Sequence, residues 1–569
     1  MKTSLILAVL LSSSLAWGQA TVNENLETAY IYVDANSGSD SNPGTMSQPL
    51  KTISRGASLA MGNNYNSIGS RVIINPGTYR ESVSVDQSGR STSLPITFEA
   101  ATSGTVFVSG ADVWTGWMPY SGNPSIYTQS WPFQWGLCSM PSDAPPVQDI
   151  VLRQEMIIVN GTPLTEVLAL TSMQPGTFFP DEANATVYAW PPTGTNMSTA
   201  TVEVATRPQL LNVQSQSYVV LRGLTFQYAN SCGQGGAVGI SHASNILIDN
   251  DSFLWNNATG LGLFYDENFT VQSSLASHNG KMGMGGNEGK YGLWQSDTSS
   301  YNNWRGAQGA FYTWDNGNKF GLAHNSSFNS LRMLFNQGPG VWFDTDAAGD
   351  VLTGLISVGN MISGLFVEKG EGPVTVSNSY LCGNNPQGWA GYGGVGLRNS
   401  TFVSLTETTL FGNGANQIFI DGVAGGQIVT NWETGQVYNL QTGNLTLSHN
   451  LLTGDSTTQV FGDGSLGGED WDVFASTLSS DHNTWWAGSN TDAFTVPGPP
   501  PALLDLSGWQ SLTGQDINSS WTSSTSPAAC NVQSQGPDYW LMTNLILPPV
   551  TVSPAGVATY TLTTVSLAS

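Results

Sequence analysis

Basic residues are scarce in this 569-residue chain. Its 16 Lys and Arg stand against 40 Asp and Glu, for a formal net charge of −24. So acidic a surface repels polyanions, which makes nucleic acid, uronate-rich polymers and anionic membranes poor partners. Charged residues of both signs make up only 10% of the chain, too few for a helical bundle or coiled coil. The four cysteines, Cys138, Cys232, Cys382 and Cys530, are too scattered for a metal knuckle. An oxidising compartment would allow three pairings of them, and spacing does not choose between these pairings and free buried thiols. The five histidines, His278 and His324 among them, follow no metal-ligand spacing, and no Ser/His/Asp arrangement is visible. No metal or cofactor is therefore expected, a structural Ca2+ being the one ion left open. Long apolar runs are missing except at the start, where Lys2 precedes Leu5 to Trp17 and the small residues Gly18 to Ala20. Residues 1–20 thus read as a cleavable secretory leader, too short to span a bilayer, and the mature protein is expected to be extracellular or periplasmic.

What abounds is Gly (65 residues), together with Ser, Thr and Asn, a profile of short strands and many turns. From about Val220 the chain cycles through an alternating strand, polar residues, an Asn, a Gly and another alternating strand. Segments 246–264, 270–287, 352–368 and 402–421 show the cycle with little decoration, with Asn256, Asn279, Asn360 and Asn413 at matching places. Extra loop enters at 329–340 and 384–394. Repeats of twenty-odd residues with two or three strands each predict an all-β, right-handed parallel β-helix, in which each coil buries its inward face only on its neighbours. The fixed Leu pattern of leucine-rich repeats is missing. The Asn column predicts an internal hydrogen-bonded ladder.

Residues 21–112 read as an N-terminal cap, including a short amphipathic helix over 49–61, and the first coils. The repeat then vanishes over 113–207, where separate strand patterns (Met156-Ile-Ile-Val-Asn-Gly, Thr186-Val-Tyr-Ala-Trp, Thr201-Val-Glu-Val) predict an inserted small β-sandwich. Residues 208–495 form the main solenoid. Residues 496–569 hold a rigid Pro497–Pro501 linker, a terminal cap around Trp509 to Trp540, and a strand-like tail.

Two segments carry the chemistry. Gly340-Val-Trp-Phe-Asp and Gly364-Leu-Phe-Val-Glu look like one strand written twice, each ending in a carboxylate. Aligning second strands gives the stack 262–266, 309–313, 340–344, 364–368, 394–398 and 417–421. Second and fourth positions are apolar and face the core, so first, third and fifth face out. The outward set is a column of Asp266, Thr313, Asp344, Glu368, Arg398 and Asp421 beside a column of Phe264, Phe311, Trp342, Phe366 and Phe419; Asp346 also points outward by the same alternation. Isolated outward carboxylates such as Asp266 and Asp421 normally just meet water. Asp344 and Glu368 differ, because like charges one strand spacing apart repel, which raises one pKa and suits a general acid beside an ionised nucleophile. Arg398, one coil on, either offsets that repulsion or grips a substrate hydroxyl. Trp342, Trp389 and Trp314 are the candidate sugar-contacting aromatics, while the Phe residues are expected to lie beneath a loop.

These residues resemble a known group. Tyr32-Val-Asp with Asn42-Pro-Gly and Pro49-Leu-Lys-Thr-Ile resembles the start of secreted β-helix proteins that act on carbohydrates. The insertion motifs Val159-Asn-Gly and Val187-Tyr-Ala-Trp-Pro-Pro, with Gly340-Val-Trp-Phe-Asp-Thr-Asp and Gly364-Leu-Phe-Val-Glu, are similar to the family 120 β-xylosidases, with family 141 also near. The resemblance implies an Asp nucleophile, at Asp344 or Asp346, and a Glu368 acid/base, retaining the anomeric configuration through a glycosyl-enzyme ester. An oligo- or polysaccharide is the implied partner. Two other readings stand beside it. A polysaccharide lyase or epimerase on the same fold would rely on Arg305 and Arg398, with Lys369 turned inward or on a turn. A non-catalytic carbohydrate-binding solenoid would bind glycan without turning it over.

Overall fold

The computed structural model describes residues 19–86, 93–139, 146–233, 235–309, 316–497 and 501–522. The leader up to residue 18, Trp314, Phe311, Thr313, Cys530 and the tail beyond 522 lie outside them.

Alternating apolar residues in short strands, separated by turns of which one in each coil is very short, wind the chain into three sheets of thirteen strands each. Pairing within each sheet is parallel, apart from one antiparallel edge pair (Phe494–Val496 with Ala502–Leu504), and runs between successive coils. This is the right-handed parallel β-helix. Inward side chains form one continuous apolar column along the axis, including Phe226, Phe253, Leu263, Phe343, Val367, Leu397 and Ile420. At one end the helix Ile53–Tyr65, capped by the Thr52 hydroxyl on Arg55 N, closes the column with Ile53, Ala57 and Ala60. It packs so closely that a Cβ on Gly56 would meet Val72 at 2.9 Å. At the other end Trp509, on the helix Leu506–Thr513, stacks on Phe461 and Phe494.

The expected Asn ladder is present and longer than the sequence suggested. Asn256, Asn279, Asn302, Asn336, Asn360, Asn384 and Asn413 are all fully buried, and the amide of each of the first six donates to the Asn side-chain oxygen one coil on at 2.9–3.0 Å. The last rung is Gln417, which turns back four residues to cap Asn413. Each amide's second proton meets a backbone carbonyl, as Asn360 does at Met333 O. The turns therefore bury amides without leaving their donors orphaned.

Between Val106–Ser109 and Leu211–Gln214 the winding is interrupted by a separate unit of two small sheets. Its four-stranded sheet runs from Ala111–Val113 to Val202–Ala205, and a five-stranded sheet includes Asn123–Ser130 and Thr177–Asp181. Trp131, Phe178 and Ile157 form its core. The disulfide Cys138–Cys232 ties it to the solenoid, and no free cysteine remains among the described residues. No helix among the described residues is long and apolar enough to cross a membrane.

Candidate active site

Asp344 and Glu368 end consecutive strands of one sheet, Val341–Asp344 and Leu365–Glu368, and pair directly in register. The register follows from the apolar residues before them: Val341 and Leu365, then Phe343 and Val367, all point to the core and are fully buried. Two carboxylates thereby stand one strand spacing apart, about 4.8 Å between Cα atoms. Arg398 and then Asp421 follow in the same column.

The two acids have different surroundings. Lys319 Nζ lies 2.7 Å from Asp344 Oδ2, Lys369 Nζ lies 3.7 Å from Oδ1, and the Thr345 hydroxyl donates to Oδ1 at 3.0 Å. Asp344 is thus surrounded by groups that favour its anion. Glu368 is 9% exposed, and no ion pair anchors it among the described residues. Burial raises its pKa above the usual carboxylate range and repulsion from Asp344 raises it further, while Lys369, Arg398 and Lys319 pull the other way. The pair is thus unequal: Asp344 is ion-paired, while burial and its neighbour raise the Glu368 pKa. Arg398 ion-pairs with Asp421 at 2.8 Å and keeps 42% of its side chain exposed.

Two structures flank the pair. The 386–392 loop is pinned by Asn385, which accepts from Trp389 N at 3.0 Å and donates to Trp389 O at 2.9 Å. Trp389 is half-buried on it. Tyr392, whose pKa burial raises, lies close enough to feel Arg398, Glu368 and Asp421. On the other side the hairpin Gln427–Thr430/Val437–Leu440 folds back along the solenoid. Its tip reaches the coils before the pair: Glu433 binds Lys290 (2.9 Å) and His324 Nδ1 (2.8 Å), and Trp432 Nε1 donates to Leu322 O (3.0 Å). Burial pushes the His324 pKa down, but hydrogen bonds to Asp346 and Glu433 outweigh it and hold it at about 9.

Several sequence expectations need correction. Asp346 does not face outward: Thr345 and Asp346 both adopt positive φ (58° and 55°), the strand ends at Asp344, and Asp346 is fully buried against Trp432 N and His324. Asp266 does not join the column. The residue opposite the Asp344 position two coils earlier is Asn287, and Phe264 before that, so the earlier coil had been aligned two residues out of register. Asp266 is 1% exposed and caps Ala243 N and Phe264 N, and Tyr265 is on the surface rather than in the core. The strand beside Val341–Asp344 is Lys319–Gly321; residues 310–313, aligned with it in the sequence, lie outside the described residues. Trp342 is only 4% exposed, with the Lys319 ammonium 4.5 Å above its ring, so it is no open stacking face. Arg305 lies away from the pair, buried against Glu166 of the inserted unit. Sequence reasoning also missed Lys319, Tyr392 and the hairpin.

No protein-family profile matches the sequence. A 111-residue stretch is 35% identical to the uncharacterized protein YwoF of Bacillus subtilis (strain 168), covering 20% of this chain and 21% of that one. Among solved structures, XylC in complex with xylose superposes with a TM-score of 0.65 at 13% identity, covering 88% of this chain and 86% of that one. The A-module of the Azotobacter vinelandii mannuronan C-5 epimerase AlgE6 superposes at 0.45 with 14% identity, covering 83% and 93%. The likeness to XylC, at that identity, is one of fold.

Proposed function

We propose that this chain is a secreted carbohydrate-active enzyme, a retaining glycoside hydrolase on neutral, xyloside-like glycans. The in-register pairing of Asp344 with Glu368 carries the reading. Retaining glycosidases hold their carboxyl groups about 5–5.5 Å apart, whereas inverting ones leave about 6.5–9.5 Å for a water. Asp344, ion-paired and ionised, attacks the anomeric carbon; Glu368, whose raised pKa keeps a proton available, gives it to the leaving oxygen. The resulting ester on Asp344 is cleaved by a water that Glu368, now ionised, deprotonates. Lys319 and Lys369 hold the nucleophile in its anionic form between turnovers. The scarcity of cationic groups supports a neutral substrate. The known xylose ligand of XylC supports a pentose.

A panel of aryl glycosides (xyloside, arabinoside, fucoside, glucoside) tests the reading, with the product anomer followed by proton NMR at early times. Release from at least one with the initial product in the substrate's configuration is expected. No release from any, with rising ultraviolet absorbance on alginate or pectin, would instead establish the lyase reading, for which Lys319 is the basic group that the repeat pattern did not reveal. Its ion pair with Asp344 argues against that role, since a base must be free of its proton.

The pH profile gives a second test. A general acid works only while protonated, so activity falls as pH rises through the Glu368 pKa. The Arg398 charge lowers that pKa. Arg398→Ala therefore removes a lowering influence, and the alkaline limb of kcat/KM is expected to move to higher pH. A limb that stays or moves down would remove Glu368 from the acid role.

A further inference from the structure

Beside the carboxylate pair, the turns that follow three successive strands bring His324, Asp346 and Glu371 together, each offering a ligand atom within 4.8 Å of the others. His324 is 1% exposed and Asp346 fully buried. Asp346 Oδ2 accepts from Trp432 N at 2.8 Å and meets His324 Nε2 at 3.2 Å, but its Oδ1 is buried with no hydrogen-bond partner. Glu371 repeats the pattern: Oε1 accepts from Asn431 Nδ2 at 2.5 Å, and Oε2 is buried and unpartnered. One fully buried carboxylate and one half-buried carboxylate thus each carry a buried oxygen with no hydrogen-bond partner among the described residues. Burying an acceptor without a donor is costly, and the His324 ring reaches only Oδ2 of Asp346, so both orphaned oxygens remain open to a further ligand.

We propose that His324, Asp346 and Glu371 form a binding site for a divalent first-row cation of the Zn2+ class. One imidazole nitrogen with two carboxylate oxygens is a donor set suited to such ions, whereas Ca2+ takes oxygen ligands only. Zinc bonds of about 2.0–2.1 Å put tetrahedral ligands roughly 3.4 Å apart, so the cation draws the three side chains slightly inward. For this His324 Nε2 loses its proton to solvent and its 2.8 Å contact to Asp346 O, and the freed lone pair binds the cation. The outer partners of such a site are already in place: His324 Nδ1 faces Glu433 Oε2 at 2.8 Å, and Glu433 is held in turn by Lys290. A ligating histidine characteristically gives its second N–H to a carboxylate, which fixes tautomer and ring plane. Because Glu433, Trp432 and Asn431 come from the hairpin tip, occupancy would fasten the hairpin to the corner from which Asp344 projects. The site's occupancy does not depend on what chemistry Asp344 and Glu368 perform.

His449 and His482 stack at 5.0 Å on the surface and offer an unrelated place for a metal, so the test uses the His482→Ala background. The full-length protein is stripped with chelator and titrated with ZnCl2, MnCl2 and CaCl2 by calorimetry, with thermal melts in parallel. One equivalent of Zn2+ is expected to bind and raise Tm, with Ca2+ weaker. Glu371→Gln is expected to weaken binding at least ~10-fold while leaving the metal-free melt unchanged or higher, since it removes one of two repelling carboxylates. Co2+ substitution should give visible d–d bands that His324→Gln abolishes. No uptake, uptake unaffected by Glu371→Gln, or preference for Ca2+ would each overturn the proposal.

Discussion

Asp344→Asn is expected to lower turnover of an activated aryl glycoside by about 10⁴-fold or more, the scale seen when a covalent nucleophile is removed. Glu368→Gln should fall by about 10²–10⁴-fold, the usual contribution of a positioned acid, and by least on substrates whose leaving group needs no proton. The asymmetry between the two follows from their surroundings. The Asp344 position is flanked by Lys319 and Lys369, and an amide there removes the carboxylate that both ammonium groups pair with. The Glu368 position is buried and its charge is disfavoured by desolvation, so the isosteric amide replaces its protonated form with little structural change. Azide separates the roles. With Asp344→Gly, the small anion enters the vacated site between the lysines and forms a glycosyl azide of inverted configuration. With Glu368→Ala it attacks the accumulated ester, and the product keeps the substrate's configuration. Equal activity in wild type and Asp344→Asn would sink the assignment, and an Asp346→Asn variant that alone lost activity without unfolding would move the nucleophile two residues on.

How much of this site was legible in the sequence depends on where each coil carries extra residues. The stretch from Val341 to Asp421 repeats without a break in its strands, so the apolar pairs Leu365/Val395 and Val367/Leu397 fixed the partners of Glu368 correctly. The coils before it do not. A helix at Trp304–Gly309 lengthens one coil, and the strand beside Asp344 starts only at Lys319, ten residues after the Gly309 at which the sequence pattern had placed it. Alternation cannot detect a slip of two residues, because an even shift leaves every side chain on its original face. Gly260-Leu-Gly-Leu-Phe offers two such registers, and the wrong one put Asp266 into the column instead of Phe264. Alternation also says nothing of where a strand stops. Two consecutive residues of positive φ carried Asp346 out of the strand's alternation and under the hairpin, into the cluster with His324 and Glu371. That cluster and the Glu433 contact join coils up to 143 residues apart, so no local spacing could announce them.

Arg305→Ala is expected to destabilise the protein by about 3–5 kcal/mol, the cost of breaking a buried ion pair. Arg305 is 1% exposed, and every polar bond it makes crosses to another part of the chain. Nη1 pairs with Glu166 Oε2 at 2.7 Å and donates to Ile150 O at 3.2 Å; Nη2 donates to Glu155 O at 2.7 Å; Nε donates to Asn257 Oδ1 at 2.8 Å. Glu166 and Glu155 belong to the inserted unit and also engage Arg153, so two guanidinium groups serve two buried carboxylates. Glu155 already has its pKa raised to about 8, chiefly by burial and then by Glu166. Taking away Arg305 leaves Arg153 alone against both acids, and one of them must bind a proton or pull apart from the solenoid. The Cys138–Cys232 bond limits how far the unit can move but supplies none of the lost charge. Thermal melts, with proteolysis of the 111–205 unit as a local readout, should show Arg305→Ala far below wild type. Arg398→Ala is the control, since its exposed pair with Asp421 is worth about 0–1 kcal/mol. The double variant Arg305→Met/Glu166→Met should recover part of the loss, because it removes one charge of each sign and fills the space with apolar side chains. If Arg305→Ala melts within a degree of Arg398→Ala, the buried network does not hold the two units together, and the Cys138–Cys232 bond and the apolar cluster of Met156, Ile158 and Tyr228 must do so.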